Sequence, residues 1–255
     1  MPRLRVLSYN IHKGFSASGA RFLLADIKDA IRSVNADLVL LQEVVGENEW
    51  KRKAISSWQD GQFEYLAESL WPHYAYGKNS VYSHGHHGNA ILSRYPILRW
   101  ANVNISVWRV SSRGLLHTCI LDQLHIFNVH LGLFKAERNK QWELACKAIE
   151  QRVAGGAPFI LAGDFNDWNL KLHPAIKGAL SVREALAQLQ GKPARTFPAV
   201  QPLLRVDRIY FRGMELTDAG RLDHRRWRRL SDHCPLWAEF EVDFRLPPAR
   251  KRIWS

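Results

Sequence analysis

Apolar runs that stop abruptly at an amide, carboxylate or imidazole recur along the chain. Residues 6–11 form the first, and Asn10 and His12 lie two positions apart, the spacing that shares one face of an extended strand. Residues 20–34 carry Leu23, Leu24, Ile27, Ile31 and Val34 at helical spacing, which predicts an amphipathic helix. The run Leu38-Val39-Leu40-Leu41 predicts a strand covered on both faces, ended by Gln42-Glu43. Residues 46–61 are polar and aperiodic and predict a loop before a short helix at 63–70. Residues 89–94, 103–108 and 115–121 read as antiparallel strands with Pro96 as a break. Alternation over 124–130 puts Asn128 and His130 on one face, and a helix is expected at 136–153. A buried run at 158–166 ends in Asp164 and Asn166, with Gly163 allowing a sharp turn before the carboxylate. A helix at 182–190, a strand at 204–210 containing Asp207, and a last strand at 236–242 behind Ser231-Asp232-His233 complete the pattern.

The 255 residues suit one large domain, read as 1–244 with a basic extension at 245–255. At 46% hydrophobic and 11% aromatic the chain can bury a sizeable core, which excludes a disordered protein. Cys119, Cys146 and Cys234 are widely spaced and odd in number, so neither a disulfide framework nor a Cys-rich zinc site is suggested, and a reducing compartment follows. No stretch has the apolar length of a bilayer span, and the N-terminal residues lack an extended apolar region, so the expectation is a cytoplasmic protein that is not transmembrane. A formal net charge of +12 favours encounter with anions. Five arginines between Arg221 and Arg229 sit directly ahead of Asp232 and His233.

Glu43, Asp164, Asp207 and Asp232 each fall where an apolar run ends or contains a single carboxylate. Such a group is costly to desolvate unless it meets a cation or a protonated partner. Carboxylates joined by an amide such as Asn10, with no thiolate, suit Mg²⁺ or Mn²⁺ better than zinc. Arg113 before Gly114 reads equally as a phosphate contact or as a strut between sheets. The histidine-rich segment 84–88 reads as a substrate-facing loop in preference to a zinc site.

The motifs Ser8-Tyr9-Asn10-Ile11, Leu41-Gln42-Glu43, Arg113-Gly114, Asn128-Val129-His130-Leu131, Gly163-Asp164-Phe165-Asn166, Asp207-Arg208-Ile209-Tyr210 and Ser231-Asp232-His233, in this order, resemble the endonuclease/exonuclease/phosphatase superfamily over nearly the whole chain. The resemblance implies an α/β fold, a four-layer sandwich of two packed mixed β-sheets flanked by helices, with the site at one end. It implies that Glu43 holds a catalytic Mg²⁺ (or Mn²⁺) with Asn10 beside it and Asp232 completing the metal side. By the same resemblance Asp164 orients and deprotonates the attacking water, Asn166 bonds the phosphate or that water, Asp207 pairs with His233, and His130 works at the leaving-group side. Arg113, His12 and Asn128 are the expected substrate contacts. His12 and His130 depart from the abasic-site endonucleases, which have an acid or amide and a tyrosine there, so abasic-site repair is disfavoured.

The expected activity is therefore Mg²⁺-dependent hydrolysis of a phosphodiester. Nucleic acid is preferred as substrate because positive charge surrounds the suspected site. A phospholipid or inositol phosphoester is the alternative, and a basic nucleic-acid- or membrane-binding module without catalysis is the reading of another class. No obligate protein partner is implied.

Overall fold

A computed structural model describes residues 2–108 and 111–243. The basic extension expected at 245–255 lies outside the described residues. One six-stranded sheet is built from β1 (Arg3–Asn10), β2 (Leu38–Asn48), β3 (His73–Tyr82), β4 (Gly85–Ser93), β11 (Glu215–Arg221) and β12 (Leu236–Glu241), in the order β11-β12-β1-β2-β4-β3. The other contains β5 (Ile97–Asn104), β6 (Gly114–Ile120), β7 (Leu124–His130), β8 (Phe159–Asp164), β9 (Arg183–Glu184) and β10 (Asp207–Arg212), in the order β5-β6-β7-β8-β10-β9. Each sheet has one parallel pair near its centre, β1 with β2 and β7 with β8, and antiparallel partners outside it. Both sheets are therefore mixed, as expected.

Strand periodicity sorts the core into layers. On β1, Leu4 and Val6 point between the sheets and pack with Leu40, Ile91, Ile126 and Ile160, while Leu7 and Tyr9 point outward under the helices. Helices α1 (Leu24–Val34) and α3 (Gln62–Ala67) cover the first sheet through Ile27, Ile31 and Leu66. Helices α4 (Lys135–Glu150) and α5 (His173–Leu180) cover the second through Trp142, Ile149, Ile176 and Leu180. The result is the expected helix–sheet–sheet–helix sandwich. Among the described residues no helix is long and apolar enough to cross a membrane.

Several elements differ from the sequence pattern. The segment 46–61 is not one loop: β2 runs on to Asn48, and α2 (Glu49–Ala54) follows, capped by the Asn48 side chain accepting from the Lys51 N–H at 3.0 Å. The strand expected at 103–108 lies earlier, at Ile97–Asn104, because it begins directly after Pro96. The helix expected at 182–190 is shortened to α6 (Ala185–Gln190), since Arg183 and Glu184 pair with Phe211 and Tyr210 as an edge strand. The strand expected at 204–210 starts only at Asp207.

Asn128 is corrected from substrate contact to internal strut. It is fully buried, its amide nitrogen donates to the carbonyls of Leu41 (2.8 Å) and Ala90 (2.9 Å), and its oxygen accepts from Gln42 at 2.8 Å. The side chain thus ties β7 to β2 and β4 across the sandwich. Asn128→Ala is expected to cost at least about 2 kcal/mol, because two or three buried groups lose partners at about 1–3 kcal/mol each. Urea unfolding measures this. Unchanged stability with weakened substrate binding would restore the substrate-binding role.

Candidate active site

Strand directions bring the polar residues to one end of the sandwich. Asn10 ends β1 and His130 and Asp164 end the parallel strands β7 and β8. Strand β10 runs antiparallel to β8 with Asp207 opposite Asp164, so a residue at a strand start meets residues at strand ends. Ser231, Asp232 and His233 precede β12, which runs antiparallel to β1, and arrive at the same edge. Glu43 is aimed differently. The β2/β4 register shifts between Leu41 and Val44, and Glu43 has a left-handed backbone at φ 55°, a bulge that turns its side chain out of the ladder. Asn166 has the same strained conformation at φ 50°. Gly163 is required because a Cβ there would lie 1.9 Å from the Val129 carbonyl oxygen.

The buried Asp164 carboxylate is the hub. Its Oδ1 accepts the Asn166 backbone N–H at 2.9 Å, and its Oδ2 accepts from Asn10 Nδ2 at 3.3 Å. The same Oδ2 lies 3.4 Å from His130 Nε2 and 3.8 Å from His233 Nε2. His233 Nδ1 is 2.9 Å from Asp207 Oδ2, which fixes the ring. Burial opposes a charge on His233, but Asp207, then Asp164 and Asp232, outweigh it and raise the imidazole to about 10. His130 goes the other way: burial and then Arg113 lower it to about 4, so it is neutral. Burial raises Asp164 against the pull of the His233 imidazolium, and a raised carboxylate is a better proton acceptor.

Glu43, Arg113, His130, Asp164, Asp232 and His233 line one cavity of about 280 Å³. Its mouth carries Leu133, Trp168, Phe197 and Leu204. Trp168 lies under the Arg138 guanidinium at 5.3 Å, and Phe134 packs against Trp108 at 5.6 Å between ring centroids. Leu133 and Phe134 are 58% and 66% exposed, so this rim is apolar and open rather than packed away. Arg113 forms no salt bridge among the described residues and lines the cavity.

The donors present fit a hard divalent cation. Burial would raise Glu43, yet Lys13, whose Nζ lies 2.6 Å from Glu43 Oε2, together with the His233 imidazolium holds it well below the usual carboxylate range. The carboxylate thus already draws a cation, and Asp232, with His12 Nδ1 3.8 Å from its Oδ1, faces the same cavity. Both offer oxygen only, as Mg²⁺ and Mn²⁺ require. Ligand atoms of Asp164, Asp207 and His233 also lie within 4.8 Å of one another. A protonated imidazole has no lone pair to give a metal, so with His233 charged this trio suits a hydrogen-bonded relay, and the Glu43 and Asp232 oxygens are the donors left to hold a cation.

The sequence model of the endonuclease/exonuclease/phosphatase family matches residues 7–233. The chain belongs to that family. A relative of Escherichia coli (strain K12), "Uncharacterized protein YbhP", is 43% identical over 244 residues, covering 93% of this chain and 96% of its own length. An endonuclease/exonuclease/phosphatase from Beutenbergia cavernae DSM 12333 has a similar fold, with a TM-score of 0.74, 17% identity, and coverage of 95% of this chain and 72% of that one. D. rerio TDP2, in a structure described as complexed with single strand DNA product, has a TM-score of 0.68 and 19% identity, covering 95% of this chain and all of that one. Members of the endonuclease/exonuclease/phosphatase family are generally phosphoester hydrolases that use divalent metal ions.

Of the family-type residues read from the sequence, Asn10, Glu43, Arg113, His130, Asp164, Asn166, Asp207, Asp232 and His233 gather at this end, and Asn128 does not reach the cavity. Asn10 bridges to Asp164 and gives its side-chain oxygen to the His12 N–H at 3.1 Å, so it braces the hub. Asn166 Nδ2 donates to the Leu131 carbonyl at 2.9 Å. Lys13 carries no sequence signal, and Ser231 and His87 are legible only as parts of the Ser231-Asp232-His233 motif and the histidine-rich segment 84–88. Lys13 lies in a left-handed turn (φ 57°) that residue type does not announce. Ser231 donates to the Asn10 carbonyl at 2.7 Å, clamping the last loop onto β1. His87 lies on β4 within the electrostatic reach of Lys13, Glu43 and Arg113, so the histidine segment is a hairpin with one ring turned to the site, while His84 stacks on Trp50 at 3.7 Å.

Proposed function

We propose that the protein is a divalent-metal-dependent phosphodiesterase acting on a nucleic acid strand. The observation that carries the reading is one Asp164 carboxylate set between two imidazoles, one of them fixed by Asp207, in the same cavity as the Glu43 and Asp232 carboxylates. Mg²⁺ held by Glu43 and Asp232 would supply positive charge against the phosphoryl oxygens. Asp164 accepts the proton of the attacking water as the new P–O bond forms and the opposite P–O bond breaks. The His233 imidazolium and Arg113 donate hydrogen bonds to the phosphoryl oxygens as their charge grows. The departing oxygen leaves through the mouth and takes its proton from solvent. Asp207 positions His233, and Asn10 and the Asn166 N–H hold Asp164.

The open rim supports the substrate class. Trp108, Phe134 and Trp168 present aromatic faces beside the cavity, and bases stack on such faces whatever their sequence. The +12 net charge favours a polyanion, and the TDP2 neighbour is described with single-strand DNA. Exposed Leu133, Val200 and Leu203 favour a second reading, a phospholipid diester reached at a bilayer surface. Purified protein assayed with Mg²⁺ on labelled single-stranded oligonucleotides, phospholipid vesicles and bis(p-nitrophenyl) phosphate separates them. Oligonucleotide cleavage that copurifies with the protein and vanishes in the Asp164→Asn variant is the expected result. Lipid cleavage without strand cleavage would overturn the substrate assignment, and turnover of none would overturn the enzyme reading.

A further inference from the structure

Beside the catalytic cavity runs a second cleft, of about 530 Å³, whose charged lining is Lys192, Arg195, Arg205 and Arg221. Its remaining lining, which includes Leu186, Gln190 and Pro193, contains no carboxylate. Among the described residues Lys192, Arg195 and Arg205 form no salt bridge, and Arg221 shares its single partner Asp223 with Arg228. The cations are nonetheless held together. Arg221 Nη1 donates to the Arg195 carbonyl at 2.7 Å, and Arg205 Nε donates to the Pro193 carbonyl at 2.9 Å. Burial and the like charges of Arg195 and Arg208 push the Arg205 guanidinium below its ordinary value. Four crowded cations with Asp223 as their one carboxylate partner among the described residues favour an anion in the cleft.

Its place in the fold says which anion. The chain from Ala194 to Val206 doubles back through the bridge between Phe197 and Leu204. One side of this segment, Phe197, Leu204 and Val206, walls the catalytic cavity, and the other, Ala194, Arg195 and Arg205, walls the cationic cleft. This one segment therefore contributes walls to both spaces. We infer that the Lys192–Arg195–Arg205–Arg221 cleft is a backbone subsite that binds phosphates of a single-stranded nucleic acid flanking the scissile one. The inference rests on the strand-cleaving reading above for its orientation: bases on the Trp168 side, the reacting phosphate in the cavity, the next phosphates in the cleft.

A salt titration tests it without turnover. Binding of a fluorescein-labelled single-stranded oligonucleotide is followed by anisotropy in EDTA between low and high KCl, for the wild type, Lys192→Gln/Arg195→Gln, and Arg152→Gln. Both Lys192 and Arg195 are exposed and donate no side-chain hydrogen bond among the described residues, so the double variant is expected to fold. Arg152 lines a different cleft, on the outer face of the second sheet, and is the control. The double variant should flatten the slope of log Kd against log salt by about 1.4, about 0.7 for each phosphate it no longer neutralises, and Arg152→Gln should leave it unchanged. With Mg²⁺, bis(p-nitrophenyl) phosphate turnover should be the same in all three. A wild-type slope in the double variant, no binding by the wild type, or weakened affinity for phosphatidylglycerol vesicles in place of the oligonucleotide would overturn the subsite. Wild-type binding with the predicted slope change but no hydrolysis of any diester would sink the catalytic reading and leave the subsite standing.

Discussion

Asp164→Asn and His233→Gln are each expected to lower kcat for phosphodiester hydrolysis by roughly 10²–10⁴-fold, the range for removing a positioned proton acceptor or donor. Asn at 164 keeps the acceptor for the Asn166 N–H but cannot take a proton from water. Gln at 233 can still bond Asp207, whose Oδ2 lies 2.9 Å from the present ring, but brings no positive charge to the phosphoryl group. KM should move by no more than a few-fold, since neither group is the main source of ground-state binding. Steady-state kinetics on protein purified from parallel preparations measures both. A variant that retains full kcat would remove that residue from the chemistry, and a fall in kcat with collapse of the far-ultraviolet circular dichroism would show only unfolding.

Asp167→Ala is expected to destabilise the protein by about 3–5 kcal/mol while leaving the reacting groups in place, because it strands a buried guanidinium. Arg208 has no exposed surface, and its Nη1 lies 3.2 Å from Asp167 Oδ2, itself buried. The Asp167 carboxylate also accepts the N–H groups of Lys171 (3.1 Å) and Leu172 (2.9 Å), turning the chain into α5. The midpoint of urea unfolding reads the effect. A cost under about 1 kcal/mol would mean that Arg208 swings to solvent, and the pair would then be incidental to the fold.

Asp167 stands one residue from Asn166 and three from Asp164, and nothing in the local residue pattern divides that run between chemistry and support. The strand-end carboxylates were legible because parallel strands buried on both faces are nearly pure apolar runs, against which Glu43 and Asp164 stand out. Edge and half-exposed elements were not. Strand β3 carries Tyr74, Gly77, Lys78 and Asn79 with few buried positions, and without knowledge of its partner β4 it has the composition of a loop. Helix α5 buries only Ile176 and Leu180, too short a stripe to register as periodic. Asn128 and Asn166 are alike as residues near strand ends. Whether such an amide meets solvent or the seam between sheets is decided by how β7 lies on β2, a long-range packing that local pattern does not contain. Lys13 escaped for a related reason, since its partner Glu43 is thirty positions away and is aimed by a bulge.

Mg²⁺-dependent hydrolysis of bis(p-nitrophenyl) phosphate by the wild type and by Glu43→Gln is the most direct measurement of whether Glu43 and Asp164 act on one phosphoryl group. A wild-type rate that saturates with Mg²⁺ and is abolished by EDTA is predicted, with the variant needing far more metal to reach any rate. Full turnover in EDTA, or a Glu43→Gln enzyme with the wild-type response to Mg²⁺, would contradict it.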